Sequence, residues 1–228
     1  MGRAKGGNIL RVSVSPENIR KSYGLLSKFY GFFEGIFEKK LREKGLELLL
    51  VKEGEAVLEI GVGTGFSLVE IARFVGTAGK AYGIDITPQM LKMTEKRLQK
   101  AALMDRVKLS EGDARALPYE ANMYDAVYMA ATLELFDTPD IPTVLAEIKR
   151  VLKTNGRLGV ASLSKEGRED FWFIRFYEWA HQKFPKYASC RPIYVEQTIK
   201  DAGFDIVNRE RFMVMKLVPM KLVIAVPG

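Results

Sequence analysis

The sequence contains very few of the residues that form disulfides or bind metals. Its 228 residues include one cysteine, Cys190, and one histidine, His181. A single cysteine excludes an internal disulfide and a cysteine metal cluster, so we expect no metal site. A chain that forms no disulfides is typical of a reducing compartment, which makes the cytoplasm the expected location.

Long apolar segments are also missing. No stretch approaches the roughly 20 apolar residues of a membrane-spanning helix. The first residues, MGRAKGGNIL, lack the apolar core of a signal peptide, so we expect none. Positive charge, in contrast, is in excess, with a net charge of +7. This charge favours anionic partners such as lipid or nucleic acid, although a solvated basic surface accounts for it as well.

Strands and helices alternate through the middle of the chain, which predicts a mostly parallel sheet with helices on both faces. We expect strands at 56–60, 80–85, 106–110, 124–130 and 157–163, and helices at 65–75, 88–102 and 140–152. Thr87-Pro88 predicts a helix start, and Asn155-Gly156 predicts a turn into the fifth strand. Further helices are expected at 170–184 and 192–202. The final strands, 205–213 and 216–225, must pair antiparallel because their connection is short.

The segment AVLEIGVGTGFS, residues 56–67, joins the first strand to a helix through three glycines. Gly61, Gly63 and Gly65 differ from the dinucleotide fingerprint Gly-x-Gly-x-x-Gly, because the third glycine comes one residue early. A turn that needs glycine only for packing is the alternative. Glu59 favours a ligand, because a carboxylate inside an apolar strand must face something polar or cationic.

Other strands also end in residues suited to a ligand. Asp85 ends the second strand, where a carboxylate reads ribose hydroxyls, and Ile86 offers a flat apolar contact for a base. Gly112-Asp113-Ala114 follows the third strand, and the fourth ends in the small residue Ala130. All of these lie at the carboxyl ends of strands, where open α/β sheets bind ligands.

Five successive motifs resemble those of class I S-adenosylmethionine-dependent methyltransferases: VLEIGVGTG, GIDITPQML, EGDARALPY, YDAVYMAATLEL and EIKRVLKTNGRLGVASL. The resemblance covers about residues 54–164. It implies a Rossmann-like sheet of seven strands, mostly parallel with an antiparallel last strand, and S-adenosyl-L-methionine as cofactor. It assigns these residues to the cofactor: Glu59, Gly61, Gly63, Thr64, Gly65, Asp85, Ile86, Met90, Asp113, Ala114 and Ala130.

Within that family the chain looks most like the small-molecule branch, namely ubiquinone/menaquinone biosynthesis methyltransferases and bacterial phospholipid N-methyltransferases. We expect methyl transfer to a small-molecule or lipid acceptor, with the amine of a phospholipid head group first and a quinone-precursor carbon as the alternative. A nicotinamide oxidoreductase is disfavoured because no tyrosine has lysine four residues on. Nucleic acid is not the expected partner. Methyltransferases that act on base amines carry Asn/Asp-Pro-Pro-Tyr/Phe after the fourth strand, where this sequence has Ala131-Thr132-Leu133-Glu134. A non-catalytic cofactor-binding protein stays open.

The expected acceptor side combines two parts of the chain. Residues 1–53 are interpreted as an arm and helices that cover the site, with a break near Gly31, and residues 54–228 as the methyltransferase domain of a single structural unit. The aromatic helix in 169–184 is interpreted as core, as a wall of the acceptor pocket, or as a contact with a membrane surface. Candidate catalytic residues are Tyr23 and His181, and candidate acceptor contacts are Tyr30, Trp172, Tyr177 and Arg191.

Overall fold

The computed structural model describes residues 9–11, 39–184 and 190–228, except for the side chains of Lys39 and Lys40. The expected break near Gly31 and the candidate residues Tyr23 and Tyr30 lie outside these ranges. Of the expected N-terminal helices, the described part is Lys39–Leu49. The interpretation of residues 1–53 as a cover for the site therefore stays a prediction.

Six α-helices and seven strands make up the described chain. The helices are α1 Lys39–Leu49, α2 Phe66–Phe74, α3 Pro88–Lys100, α4 Ile141–Val151, α5 Trp172–Lys183 and α6 Val195–Asp201. The strands are β1 Ala56–Ile60, β2 Lys80–Asp85, β3 Val107–Glu111, β4 Tyr124–Ala130, β5 Leu152–Leu163, β6 Phe204–Val214 and β7 Val218–Pro227. Within the described residues no helix has the length and apolarity to span a membrane.

The strands form one sheet in the order β3-β2-β1-β4-β5-β7-β6. Strands β1 to β5 pair in parallel, and β7 is antiparallel to both β5 and β6. The predicted seven-stranded sheet with an antiparallel last strand is thus confirmed. Strand order reverses at β1, which lies between β2 and β4, and a crevice at the carboxyl ends of the strands is the usual ligand site of such a sheet.

Alternate side chains of the strands pack into apolar clusters on the two faces of the sheet, because strand side chains point to opposite faces with a period of two. Leu58 and Ile60 of β1 pack in the core covered by α4 and α6. Val57 of the same strand packs in the core covered by α1, α2 and α3. Gly45 lets α1 approach the sheet, since a Cβ at this position would overlap the Tyr128 hydroxyl. Helices therefore cover both faces, as predicted.

One local prediction needs correction, and another is confirmed. Strand β5 begins at Leu152, directly after α4, so Asn155-Gly156 lies inside the strand. Between the pairs Tyr124–Leu152 and Ala126–Arg157, β4 advances by two residues and β5 by five. The turn signal thus marks a bulge, in which extra residues are inserted without ending the pairing. The helix α3 begins at Pro88 with Thr87 at its N-cap, as predicted, although the Thr87 side chain makes no capping bond. Its backbone N–H instead donates to Asp85 Oδ1 at 2.8 Å.

Arg157 of β5 fastens α1 to the sheet. Its guanidinium donates to the carbonyls of Leu49 and Leu50, the latter at 2.7 Å, and so satisfies acceptors at the end of the helix. It also forms a bidentate pair with Glu55, at 3.0 and 2.7 Å. Both partners are largely buried, so the removal of one would leave the other charge without compensation.

We predict that Arg157→Ala lowers the free energy of unfolding by about 2–5 kcal/mol, because the Glu55 carboxylate and two carbonyls lose the donor that now bonds to them. The control is Arg209→Ala. Arg209 also pairs with a glutamate, Glu196 at 2.9 Å, but its side chain is 60% exposed against 17% for Arg157. An exposed pair should contribute less than about 1 kcal/mol. Denaturant unfolding of both variants tests this, and equal losses would contradict the role given to Arg157.

Candidate cofactor and acceptor site

The turn after β1 is built from glycines that adopt left-handed backbone angles. Gly61, Gly63 and Gly65 have φ of 73°, 51° and 82°, a region that costs other residues roughly 1–2 kcal/mol. A Cβ on Gly61 would also overlap the Thr132 hydroxyl in the loop after β4. Glycine is therefore required here both for the turn itself and for the close approach of two loops.

Side chains of α3 hold this turn in place. Thr94 Oγ1 donates to the Gly63 carbonyl at 3.0 Å, and Arg97 Nε donates to the Thr64 carbonyl at 2.7 Å. The Arg97 guanidinium also lies 3.4 Å from the centre of the Phe66 ring, a favourable cation–π contact. Carbonyls of the turn are thus bonded within the protein, and its position is set before any ligand binds.

Asp85 connects the turn to the second strand. Its buried carboxylate accepts the Gly63 N–H on Oδ2 at 3.1 Å and the Thr87 N–H on Oδ1 at 2.8 Å. Burial raises the pKa of Asp85 above its usual value, and the two N–H groups oppose that shift. Each carboxylate oxygen has two lone pairs, so the group retains capacity to accept hydroxyl donors such as a ribose diol.

Asp113 is engaged by an arginine that the sequence reasoning overlooked. Arg115 Nη2 donates to Asp113 Oδ2 at 2.7 Å, and Arg115 Nη1 reaches Asp140 at 2.9 Å. Burial alone would raise the pKa of Asp113, but the bonds and charge of Arg115 hold it below its usual value. The resemblance gave this carboxylate to the adenine amine. That assignment stays a prediction. It now requires that a carboxylate oxygen of Asp113 accept from the adenine amine and from Arg115 at the same time.

The other expected cofactor residues lie around the same crevice. Glu59 is buried in β1, beside Gly83 of β2 and Tyr128 of β4. Buried side chains also include Met90 and Ala114, whereas Ile86 and Ala130 are half-buried. The structure thus brings this group together at the carboxyl ends of the strands, but nothing in it tests what each residue binds.

Arg191 has a different environment from the one the sequence suggested. It is fully buried, and its guanidinium donates to the Leu10 carbonyl at 2.7 Å, the Glu134 carbonyl at 2.6 Å and Thr138 Oγ1 at 3.2 Å. Burial lowers its pKa to about 10. Its three nitrogens donate to the N-terminal segment and to residues after β4, and its assignment to the acceptor stays a prediction.

The remaining candidates of the acceptor side fall into two places. His181 is buried, with Nε2 3.0 Å from the Arg11 carbonyl, and the Tyr177 hydroxyl is 2.7 Å from Cys190 Sγ. Both side chains therefore face the region around Arg191. Trp172 lies on the opposite side of α5 and is 61% exposed. The structure thus groups His181, Tyr177 and Arg191 but separates Trp172 from them.

Glu134 is a residue of this region to which the sequence reasoning gave no role. It follows β4, and its buried carboxylate accepts the Ser162 hydroxyl at 2.7 Å and the Leu163 N–H at 3.1 Å. Burial raises its pKa, although the hydrogen bonds oppose the shift. The signal was a lone acid in the apolar segment Ala131–Phe136, the same kind of signal that identified Glu59.

Comparison with known proteins agrees with this geometry. Residues 57–156 match the family model of a methyltransferase domain. A demethylmenaquinone methyltransferase of Lactobacillus johnsonii is 35% identical over 124 residues, which are 54% of this chain and 50% of that protein. The chain thus spans about half the length of the curated relatives it matches.

Solved structures extend the likeness to nearly the whole chain. An S-adenosylmethionine-dependent methyltransferase from Aquifex aeolicus is 25% identical with a TM-score of 0.61, covering 94% of this chain and 100% of its own. The cyclase SpnF has a TM-score of 0.74 at 20% identity, covering 96% and 99%, which shows the fold alone. The protein thus has the architecture of class I methyltransferases. Its residues 57–156 match a methyltransferase domain, and the Aquifex protein with the same fold is named an S-adenosylmethionine-dependent methyltransferase.

The crevice fits the cofactor of that class, S-adenosyl-L-methionine, as expected. The glycine turn presents backbone without Cβ atoms, and Asp85 presents a carboxylate with acceptor capacity beside it. Among the described residues no group of three or more His, Cys, Asp or Glu side chains is arranged to hold a metal ion. Asp113 is already paired with Arg115, so its present bonds would compete with the cofactor.

We predict that Gly61→Ala disrupts the site more than an equally strained glycine replacement elsewhere. The control is Gly54→Ala, because Gly54 also has a positive φ, 84°, but a Cβ there would meet nothing within 4 Å. Gly54→Ala should cost about 1–2 kcal/mol in unfolding free energy. Gly61→Ala should cost about 2–5 kcal/mol, since it adds the clash with Thr132, and should weaken cofactor binding. Unfolding and calorimetric titration decide; identical behaviour of the two variants would contradict the role of the Gly61–Thr132 approach.

We predict that Asp85→Ala weakens S-adenosylmethionine binding by about 1.5–3 kcal/mol, the usual contribution of hydrogen bonds to a charged group. Calorimetric titration measures the change. The control is Asp125→Ala, which also removes a carboxylate that accepts a backbone N–H, from Ala56 at 2.9 Å, but at the opposite end of the strands. It should leave the affinity unchanged.

The affinity of the native protein should also fall on acidification. Protonation of Asp85 removes its charge, and because burial raises its pKa this loss begins at a higher pH than for an exposed aspartate. The side chain of Asp85→Asn does not ionise, so the cofactor affinity of this variant should not fall on acidification through this residue. A folded Asp85→Ala protein with native affinity would refute the assignment.

Proposed function

We propose that the protein transfers a methyl group from S-adenosylmethionine to a carbon of a quinone precursor. The observation that carries this proposal is the 35% identity to a demethylmenaquinone methyltransferase over 124 residues. It changes the order of the two acceptors expected from the sequence. The quinone precursor, the alternative there, now comes first, and the amine of a phospholipid head group comes second.

The chemistry asks mainly for positioning. S-adenosylmethionine supplies an electrophilic methyl group on a sulfonium, and the protein must hold the acceptor atom in line with it. Correct placement alone is worth roughly 7–11 kcal/mol of barrier in favourable cases. The fixed glycine turn and the Asp85 carboxylate are the described parts that would set the position of the cofactor.

A reduced quinone ring also has a phenolic proton whose loss makes the ring carbon a better nucleophile, so a general base would assist the reaction. The expected candidates were Tyr23 and His181. His181 Nε2 is bonded to the Arg11 carbonyl, so its role as a base depends on the other ring nitrogen or on movement of the N-terminal segment. Glu134 joins them as a third candidate, since its carboxylate is buried beside Arg191 and burial raises its pKa above the usual value.

A lipid-soluble acceptor lies in a bilayer, and the described residues contain no helix able to span one. We therefore include in the proposal that the protein works from the cytoplasmic side and meets its acceptor at the membrane surface as a peripheral protein. Nucleic acid has no part in it.

The test is transfer of a labelled methyl group from S-adenosylmethionine, followed by mass spectrometry. We expect label on the ring carbon of a short-tailed demethylated naphthoquinol, and not on phosphatidylethanolamine or bulk RNA. Asp85→Ala should reduce the rate of methyl transfer when the cofactor concentration is limiting. This control shows whether the transfer depends on the described site. Label on the phospholipid amine alone would favour the second acceptor. Cofactor binding without transfer to any acceptor would favour a non-methylating role, and the cyclase name of SpnF shows that this fold is not restricted to methyltransferases.

A further inference from the structure

The outward side of α5 carries a stripe of aromatic and basic residues. Trp172, Phe176 and Trp179 are 61%, 54% and 49% exposed, and the basic residues Arg175 and Lys183 are exposed beside them. Positions 172, 176, 179 and 183 are spaced by four, three and four residues, which places their side chains on one face of a helix. The exposure is therefore a property of one continuous helix face.

The same surface continues beyond the end of the helix. Phe176 and Trp179 have ring centres 5.9 Å apart, and Trp179 and Phe184 have ring centres 6.0 Å apart. Phe184 is 53% exposed. Within the described residues, four of the nine large apolar side chains with high exposure belong to this segment of thirteen residues. Such clustering distinguishes a binding surface from the scattered apolar residues of an ordinary protein surface.

The other side of α5 is fully used by the domain. Ile174 and His181 are buried, and Glu178 forms an ion pair with Lys165 at 2.7 Å. Glu178 is the only acidic residue of the helix, so the outward face has two cations and no carboxylate. The nearest exposed acids in the sequence, Glu169 and Asp170, precede the helix at its N-terminal end. The aromatic face is thus cationic along its length.

We propose that this α5 face docks the protein on an anionic lipid bilayer. Tryptophan prefers the interfacial region of bilayers, and the long side chains of arginine and lysine keep their charges at the head groups while their stems lie in apolar surroundings. The net charge of +7 adds attraction to an anionic surface. A second copy of the chain is a poorer occupant, because two such faces in a symmetric contact would bring like charges together.

Docking in this orientation would place the bilayer beside the acceptor side of the site. The α5 helix follows β5 and is fixed to the residues around Arg191 through the pairs Tyr177–Cys190 and His181–Arg11. The biological purpose of this docking rests on the proposed function, because the bilayer would be the source of the acceptor. The surface itself is argued from exposure, spacing and charge, so its test needs neither cofactor nor acceptor.

Both tryptophans of the chain, Trp172 and Trp179, lie in the proposed surface, so intrinsic fluorescence reports on it directly. We expect the full chain to co-sediment with vesicles of phosphatidylcholine and phosphatidylglycerol, with a blue shift of emission and quenching by lipids brominated in the acyl chains. Vesicles of phosphatidylcholine alone should bind much less. The double variant Phe176→Ser with Trp179→Ser should reduce partitioning at least about tenfold.

Matched controls separate this face from general stickiness and charge. Phe74→Ser removes an aromatic residue that is 49% exposed on α2 and should leave partitioning unchanged. Arg175→Glu with Lys183→Glu should reduce partitioning, whereas Lys92→Glu with Lys96→Glu, an equal change of net charge at exposed positions of α3, should have little effect. Circular dichroism checks that each variant is folded.

Three results would overturn the proposal: absence of binding to anionic vesicles, equal effects of the α3 and α5 charge reversals, or unshifted tryptophan emission in the bound protein. Concentration-dependent dimerisation abolished by the aromatic variant would assign the face to a second copy instead. The proposed reaction is tested separately on a short-tailed, water-soluble quinol without vesicles. Its failure would leave the docking result standing, and a failure of docking would leave the reaction standing.

Discussion

The buried carboxylate of Asp85 is the interaction on which the candidate site depends. A charge in this position must be compensated by hydrogen bonds, and it receives them from Gly63 and Thr87. One of these N–H groups belongs to the turn after β1 and the other to the start of α3. A single side chain at the end of β2 therefore fixes both segments, and Thr94 of α3 then bonds back to the turn. The glycine turn, the end of β2 and the start of α3 are thus joined to one another by hydrogen bonds.

Strand order extends this constraint to the acceptor side. Because β4 lies directly beside β1, the loop after β4 must pass close to the glycine turn, and Thr132 occupies the space that a Cβ of Gly61 would need. Two residues later, Glu134 fastens the same loop to Ser162 of β5. The glycine turn, the loop after β4 and β5 are thus joined by direct contacts through Thr132 and Glu134.

The strands, turn and helix start around the candidate cofactor site could be predicted from the sequence, because their signals are local. Glycine spacing, Asp85 and Pro88 fix β1, β2 and the start of α3, and the predicted bounds of both strands agree with the structure. The Asp113–Arg115 pair was missed although its partners are only two residues apart. Charge alternation on the surface is common, and only the backbone turn decides which side chains meet. The bulge in β5 was missed for a related reason: Asn-Gly signals a bend but does not say whether pairing continues.

The environment of the candidate acceptor residues could not be predicted from the sequence, because contacts between distant segments build it. Arg191 and Leu10 are 181 residues apart, and His181 and Arg11 are 170 apart. A buried arginine must find acceptors for its donors, and it finds carbonyls whose positions depend on the whole fold. The candidate cofactor residues, in contrast, are joined by hydrogen bonds between segments that neighbouring strands bring together. Similar structures carry names that include a methyltransferase and a cyclase, so the shared fold does not identify the acceptor. We therefore expect the choice of acceptor to depend on the long-range contacts around Arg191, which differ from the local signals of the glycine turn.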